Sequence, residues 1–237
     1  MSSDSNRGIG TLSETTLHAQ LKELYAESEG EMEVPVDGFI ADVVKDGSII
    51  EIQTGNFSKI RDKLRSLIRS HTVMLVYPVA AEKWIIKEGD TFGDKLKKRK
   101  SPKHGGVEEL FYELVSMPRL INSSNFSIEV VLTEEEDIRA KSEDASWRRR
   151  GWKTVDRKLL KVIDRARFRQ SADFLAFLPP SLDTPFTNKE LAAATGYARR
   201  LAQKITYCLR KMGVLRVPKK RGRAYLHEIP AAYSSNR

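Results

Sequence analysis

A single cysteine, Cys208, stands in a chain of 237 residues. That excludes an intrachain disulfide and any zinc cluster built from cysteines. No apolar run reaches the ~18 residues that a membrane-spanning helix needs. The opening residues, Met1-Ser2-Ser3-Asp4-Ser5-Asn6, are polar and lack the apolar core of a secretion signal. No internal repeat is evident. These absences lead us to expect a cytoplasmic protein with no membrane partner. A hydrophobic fraction of 40% and a charged fraction of 31% suit a globular protein, and the length suits one large domain or two smaller ones.

What is present is unevenly charged. Residues 148–237 carry 22 Lys and Arg against 6 Asp and Glu, whereas residues 1–147 carry 19 against 26. A basic half beside an acidic half suggests separate tasks, with polyanion binding in the first and carboxylate chemistry in the second. Basic surface also serves solubility alone, which is the plainer reading.

The apolar pattern yields a series of expected elements. Residues 1–10 read as a disordered tail. Ser13 can cap a helix over 13–27, where Leu17, Leu21, Leu24 and Tyr25 recur at helical spacing. A short strand over 31–36 meets the turn Asp37-Gly38. A hairpin over 39–44 and 48–54 follows, then an amphipathic helix over 57–70 with Phe57, Ile60, Leu64, Leu67 and Ile68 on one stripe. The apolar run 73–77 reads as a strand buried on both faces, closed by Pro78. A further strand over 83–87, a polar loop over 88–106, a helix over 107–117 and a strand over 126–132 complete the first part. Strand, helix, strand in that order is a crossover unit, so the fold class is α/β with a mixed sheet flanked by helices.

The hairpin carries the most chemistry. Asp46-Gly47 between β-branched runs signals a two-residue type I′ turn. Lys45 then faces Ser48, and Asp42 faces Glu51, with Gln53 on the face of Glu51. Directly opposed Cβ atoms lie roughly 4.5–5.5 Å apart, and like charges there are destabilising. Two facing carboxylates among Ile and Val require a reason. A divalent cation is one, and a proton shared by a structural pair is another.

Order of elements and register together resemble the PD-(D/E)XK nuclease superfamily, over residues 11–80. The resemblance implies a restriction-endonuclease-like domain over 11–145, with Asp42 and Glu51 binding Mg²⁺ or Mn²⁺. It adds the carbonyl of Ile52 and an acid from the first helix, for which Glu14 is the best match and Glu23 the reserve. Gln53 stands where the family's lysine belongs. It can orient a water but cannot supply a charge, so Lys63 or Lys59 on the next helix becomes the candidate cation. His18, one turn after Glu14, reads more simply as a surface or capping histidine. The run Glu51-Ile52-Gln53-Thr54-Gly55-Asn56-Phe57 with Tyr77-Pro78 also resembles uncharacterised prokaryotic proteins of this two-part layout.

After a basic connecting helix expected over 146–169, residues 170–237 give a short helix over 171–178, a helix over 188–194 capped by Thr187, a break at Thr195-Gly196, and a helix over 197–212. Strands over 214–217 and 224–229 flank Pro218-Lys219-Lys220-Arg221-Gly222-Arg223. This resembles a small winged helix-turn-helix domain. The resemblance implies that Tyr197, Arg199, Arg200, Gln203 and Lys204 face DNA, and that Lys219, Lys220, Arg221 and Arg223 meet backbone phosphate. The combined expectation is a Mg²⁺-dependent endonuclease placed on duplex DNA, acting as a homodimer for double-strand cleavage. The alternative is an inactive nuclease fold that serves as a DNA-binding regulator, or an accessory subunit of a mobile-element or defence complex with partner proteins.

Overall fold

The computed structural model describes residues 15–87, 97–142 and 151–236. The elements are α1 (Thr16–Ala26), β1 (Glu31–Val36), β2 (Phe39–Lys45), β3 (Ser48–Ile52), α2 (Arg61–Leu67), β4 (Thr72–Lys87), β5 (Lys97–Lys100), α3 (Phe111–Leu114), β6 (Phe126–Lys141), β7 (Trp152–Phe168), α4 (Asn188–Thr195), α5 (Arg199–Met212), β8 (Lys220–Arg221) and β9 (Ala224–Tyr225). Short 3-10 turns lead into α3, precede β6, and occupy Ser171–Phe177 and Ala231–Asn236.

Seven strands form one mixed sheet in the order β1-β2-β3-β4-β6-β7, with β5 paired to the far end of β4. β3–β4 and β4–β6 are parallel and the remaining pairs antiparallel. The two short turns form as expected, with positive φ at Asp37-Gly38 and at Asp46-Gly47. Gly47 carries φ +70°, which a side chain would resist. α1 covers one face, where Leu17, Leu21 and Tyr25 meet Val43, Ile50, Ile52, Met74 and Val76. α2 and α3 cover the other, where Leu64, Leu67, Phe111 and Leu114 meet Ile49, Val73, Leu75 and Ile128.

Several expectations are corrected. Pro78 does not close β4, which runs through it for 16 residues. Val76 O accepts from Gln53 N on the β3 side, so by alternation Pro78 turns its missing N–H to that same side. β3 ends at Ile52, opposite Val76, so no ladder bond is lost there. The polar loop over 88–106 contains β5, and the rest of 88–96 lies outside the described residues. The helix over 107–117 is a 3-10 turn and one turn of α3. The tail at 1–10 and Ser13 also lie outside the described residues. The start of α1 is held instead by Asp156 of β7, which accepts from Thr16 N at 2.9 Å and Thr16 Oγ1 at 2.5 Å.

The largest correction concerns 146–169. Residues 146–150 lie outside the described residues, and the rest of the expected connecting helix is the 17-residue strand β7, paired along its length with the acidic β6. Acidic and basic stretches that suggested separate tasks are cross-strand partners. Arg157 binds Glu135 through two nitrogens at 2.7–2.9 Å, and Arg165 reaches Glu129 at 3.0 Å. Opposite charge in register holds an extended pair where composition alone suggested a solvated helix. The helical C-terminal part packs against the sheet. Phe174 stacks on Phe168 with centroids 4.5 Å apart and meets Phe111 edge-on at 6.0 Å. One apolar core runs from α2 and α3 through α5 to Ile229.

Candidate active site

The carboxyl end of β3 is where elements from both faces of the sheet converge. Crevices at the carboxyl ends of parallel strands are the usual ligand sites of open α/β sheets. The hairpin register is the one expected, with Lys45 opposite Ser48, Val44 opposite Ile49 and Val43 opposite Ile50. The ladder stops there. Asp42 does not sit as a regular partner of Glu51; its Oδ2 accepts from the N–H of Ile52 at 2.8 Å. A side chain thus takes the place of the next ladder bond and draws the Asp42 carboxylate to the end of β3.

Glu51 points to the α2 face and is 1% exposed. Lys63 sits one residue before the inward Leu64 and four before the inward Leu67, so its stem runs along the flank of the helix onto the sheet. Its Nζ donates to Glu51 Oε2 at 2.6 Å and to the carbonyl of Ile40 at 2.6 Å. From the opposite face, His18 flanks the buried Leu17 and Leu21 of α1. Its Nε2 lies 2.9 Å from Ile52 O and 3.4 Å from Asp42 Oδ2. Sequence reasoning set His18 aside as a surface residue. Its place beside the apolar stripe was the available signal.

The two carboxyls are pushed in opposite directions. Burial, with the neighbouring Asp42 charge, pushes Glu51 up to about 7, against the pull of Lys63. Burial would also raise Asp42, but hydrogen bonds from His18 and from the Ile52 N–H hold it below the usual carboxylate range. Divergent carboxyl groups in one cleft are a mark of functional sites and also occur in structural networks. One atom argues for the former: Glu51 Oε1 is buried with no hydrogen-bond partner among the described residues. Burying an acceptor unpaired costs about 1–3 kcal/mol.

Other nominated residues fall elsewhere. Gln53 turns its amide to the carbonyl of Gly55. Lys59 and the reserve Glu23 are exposed, and Glu14 lies outside the described residues. Among the described residues, no three His, Cys, Asp or Glu side chains gather into a ready-made metal cluster.

The C-terminal part gathers a second set. α4 is capped by Thr187 in a reciprocal capping box with Glu190. Gly196 and Gly213 end α4 and α5 in left-handed conformation. β8 and β9 make a two-stranded hairpin. A groove of about 610 Å³ between α4, the first turns of α5 and this hairpin is lined by Arg199, Gln203, Arg221 and Arg223. Arg221 pairs with Glu190 on its wall. Arg200, Lys219 and Lys220 are exposed, and Lys220 lies over the Tyr225 ring at 4.9 Å. Two nominated residues are engaged within the chain: Tyr197 packs against the core, and Lys204 lies over the exposed Tyr112 ring at 5.6 Å.

Residues 15–169, more than half of the chain and the span from α1 through β7, match the family described as Domain of unknown function (DUF8091). The chain belongs to this family. The DUF8091 match ends one residue past β7 and leaves out the helical C-terminal part. The chain is also similar to an uncharacterized protein of Treponema pallidum (strain Nichols), 33% identical over 221 residues, covering 92% of this chain and 86% of that one. No solved structure matches. No helix among the described residues is long and apolar enough to cross a membrane.

Proposed function

We propose that this DUF8091 protein is a divalent-cation-dependent phosphodiesterase that cleaves DNA, with its site at the end of β3. The observation that carries the reading is the state of Glu51: buried, bound on one oxygen by Lys63, and unpartnered on the other. The donor set suits a hard cation, since Mg²⁺ takes oxygen ligands at ~2.0–2.1 Å and commonly binds through one or two carboxylates plus water and phosphate. Asp42, Glu51 Oε1 and the Ile52 carbonyl would supply the protein ligands. A cation held there would polarise the scissile phosphate, favour ionisation of the attacking water and offset charge on the leaving oxygen.

The chain's own side chains supply the rest. Lys63 brings from α2 the charge that Gln53 lacks, fixes the Glu51 carboxylate and stands within reach of a phosphate oxygen. His18 holds Asp42 in its ionised form. The helix-turn-helix and hairpin at the C-terminus read as a winged helix, whose groove would place Arg199 and Gln203 toward base edges and Arg221 and Arg223 toward phosphate.

The test is cleavage of plasmid DNA with Mg²⁺ or Mn²⁺ in wild type, Asp42→Ala, Glu51→Gln and Lys63→Met proteins. Activity in the wild type lost in all three variants is expected. Activity surviving Asp42→Ala and Glu51→Gln would rule the site out. Salt-dependent DNA binding without cleavage, unchanged by EDTA, would favour a non-catalytic DNA-binding protein, a reading supported by Gln53 facing its own loop.

A further inference from the structure

Past the end of β3, on the side away from β2, a cavity of about 490 Å³ opens between β4, the segment after β5, β6 and β7. That volume lies in the ~300–1,000 Å³ range of small-molecule sites. Its wall carries four cationic side chains: Lys83, Lys103, Arg139 and Arg157. Three are already neutralised. Lys103 pairs with Glu109 at 2.7 Å, Arg139 with Asp137 at 2.8 Å, and Arg157 with the fully buried Glu135 at 2.7 Å. Thr154 donates its hydroxyl to the other oxygen of Asp137. Every carboxylate at this wall is therefore engaged, while two donors are not. The ammonium of Lys83 makes no hydrogen bond or ion pair among the described residues. The Nε of Arg139 is buried without an acceptor.

We propose that this cavity binds a phosphate oxyanion, with Lys83 as its principal ligand and Arg139 on the wall beside it. The charge count gives the sign, because after internal pairing one positive charge remains and no free carboxylate competes for it. The donor geometry gives the class. An ammonium whose three donors are free among the described residues suits an oxyanion with several acceptor oxygens better than a spherical anion. The size gives the rest, since 490 Å³ exceeds a bare phosphate and leaves room for the group that carries it. Tyr77, Pro78 and Val79 offer that group an apolar floor. Lys83 is half-buried. Burial, then the neighbouring Arg157, hold it below the usual lysine range despite Glu135 and Asp137. This inference does not rest on the nuclease reading, because none of Asp42, Glu51 and Lys63 lines the cavity.

Calorimetric titration with inorganic phosphate, a nucleoside 5′-monophosphate and a short 5′-phosphorylated single strand tests it on the full chain. Phosphate should bind the wild type and Asp42→Ala alike, and Lys83→Gln should weaken it about tenfold or more, the loss of one charge-assisted contact. Tighter binding of the mononucleotide than of the strand supports the site with a free nucleotide as source. The reverse order, with the strand's binding weakened by Lys83→Gln, supports it with a nucleic-acid end as source. A second readout needs no variant: an amine-directed acylating reagent should modify Lys83 ahead of the exposed lysines, and phosphate should protect it. Absence of phosphate binding to the wild type, or binding and protection indifferent to Lys83, overturns the proposal.

Discussion

Replacing Glu51 by Gln isolates the energetics of the candidate site. Glu51 is 1% exposed, and its carboxyl is pushed from the ordinary 4.5 up to about 7. A folded-state pKa above the unfolded value means that the native protein binds the proton more tightly. The associated stability is complete below pH 4.5 and is lost as the pH rises through 7. The interval of about 2.5 pKa units corresponds to roughly 3 kcal/mol at 1.36 kcal/mol per unit. Glutamine has no such titration. Relative to wild type, Glu51→Gln should therefore gain roughly 3 kcal/mol between about pH 4 and pH 8, or roughly 6–12 °C in melting temperature for a chain of this size. The assay is denaturant unfolding of both proteins across that range, with EDTA present. Repeating it at about pH 8 with Mg²⁺ should offset that gain, and a cation present at about 1,000 times its dissociation constant, which adds about 4.1 kcal/mol to the protein that binds it, should reverse the order. A wild-type–variant difference that changes by less than about 1 kcal/mol across the range would refute the reasoning, because Glu51 would then not be a desolvated carboxylate waiting for a partner.

Three further outcomes follow from the same structure. His227 is buried with neither ring nitrogen bonded among the described residues, and burial, then the nearby Arg210, push it down to about 4. A depressed histidine stabilises the fold at pH above the unfolded value and loses that stability as the pH falls. Wild type should lose roughly 3 kcal/mol between about pH 7 and pH 4 that His227→Leu retains, and parallel melting-temperature profiles would contradict it. Phe174→Ala should cost about 3–5 kcal/mol and leave one cooperative transition by near-UV circular dichroism, since its ring joins Phe111 to Phe168; two resolved transitions would show that the C-terminal part folds by itself. If the C-terminal groove binds duplex DNA as proposed, Arg199→Ala should weaken that binding evenly across sequences and lower the salt slope by about 1 where Arg199 meets phosphate, or relax sequence preference where it meets a base.

Local chemistry was legible without coordinates. Asp46-Gly47 specified its own turn, because a type I′ geometry needs residues that tolerate positive φ, and the turn fixed the register of β2 against β3. Thr187, Gly196 and Gly213 likewise mark the ends of α4 and α5 in the sequence, since caps satisfy their own helix. Asp42, Glu51 and Lys63 could be nominated because alternation along a strand and spacing along a helix are properties of a segment by itself.

What remained hidden depends on partners distant in sequence. β7 reads as a basic helix until β6 lies alongside it, because a run such as Arg157-Lys158-Leu159-Leu160-Lys161 has no strong preference of its own and takes its state from the carboxylates across the ladder. Pro78 reads as a terminator until it is known that β3 has already ended beside it. His18 and Lys63 stand 45 residues apart and meet the same carboxylate pair only because α1 and α2 pack on opposite faces of one sheet. The sequence by itself determined the turns, the caps, the hairpin register and the residue types of the site. The tertiary structure alone decided which face each helix covers, that the acidic and basic stretches are joined, and that Glu51 is buried with one oxygen unpartnered. Desolvation and long-range pairing are sums over residues far apart in the chain, and no local window contains them.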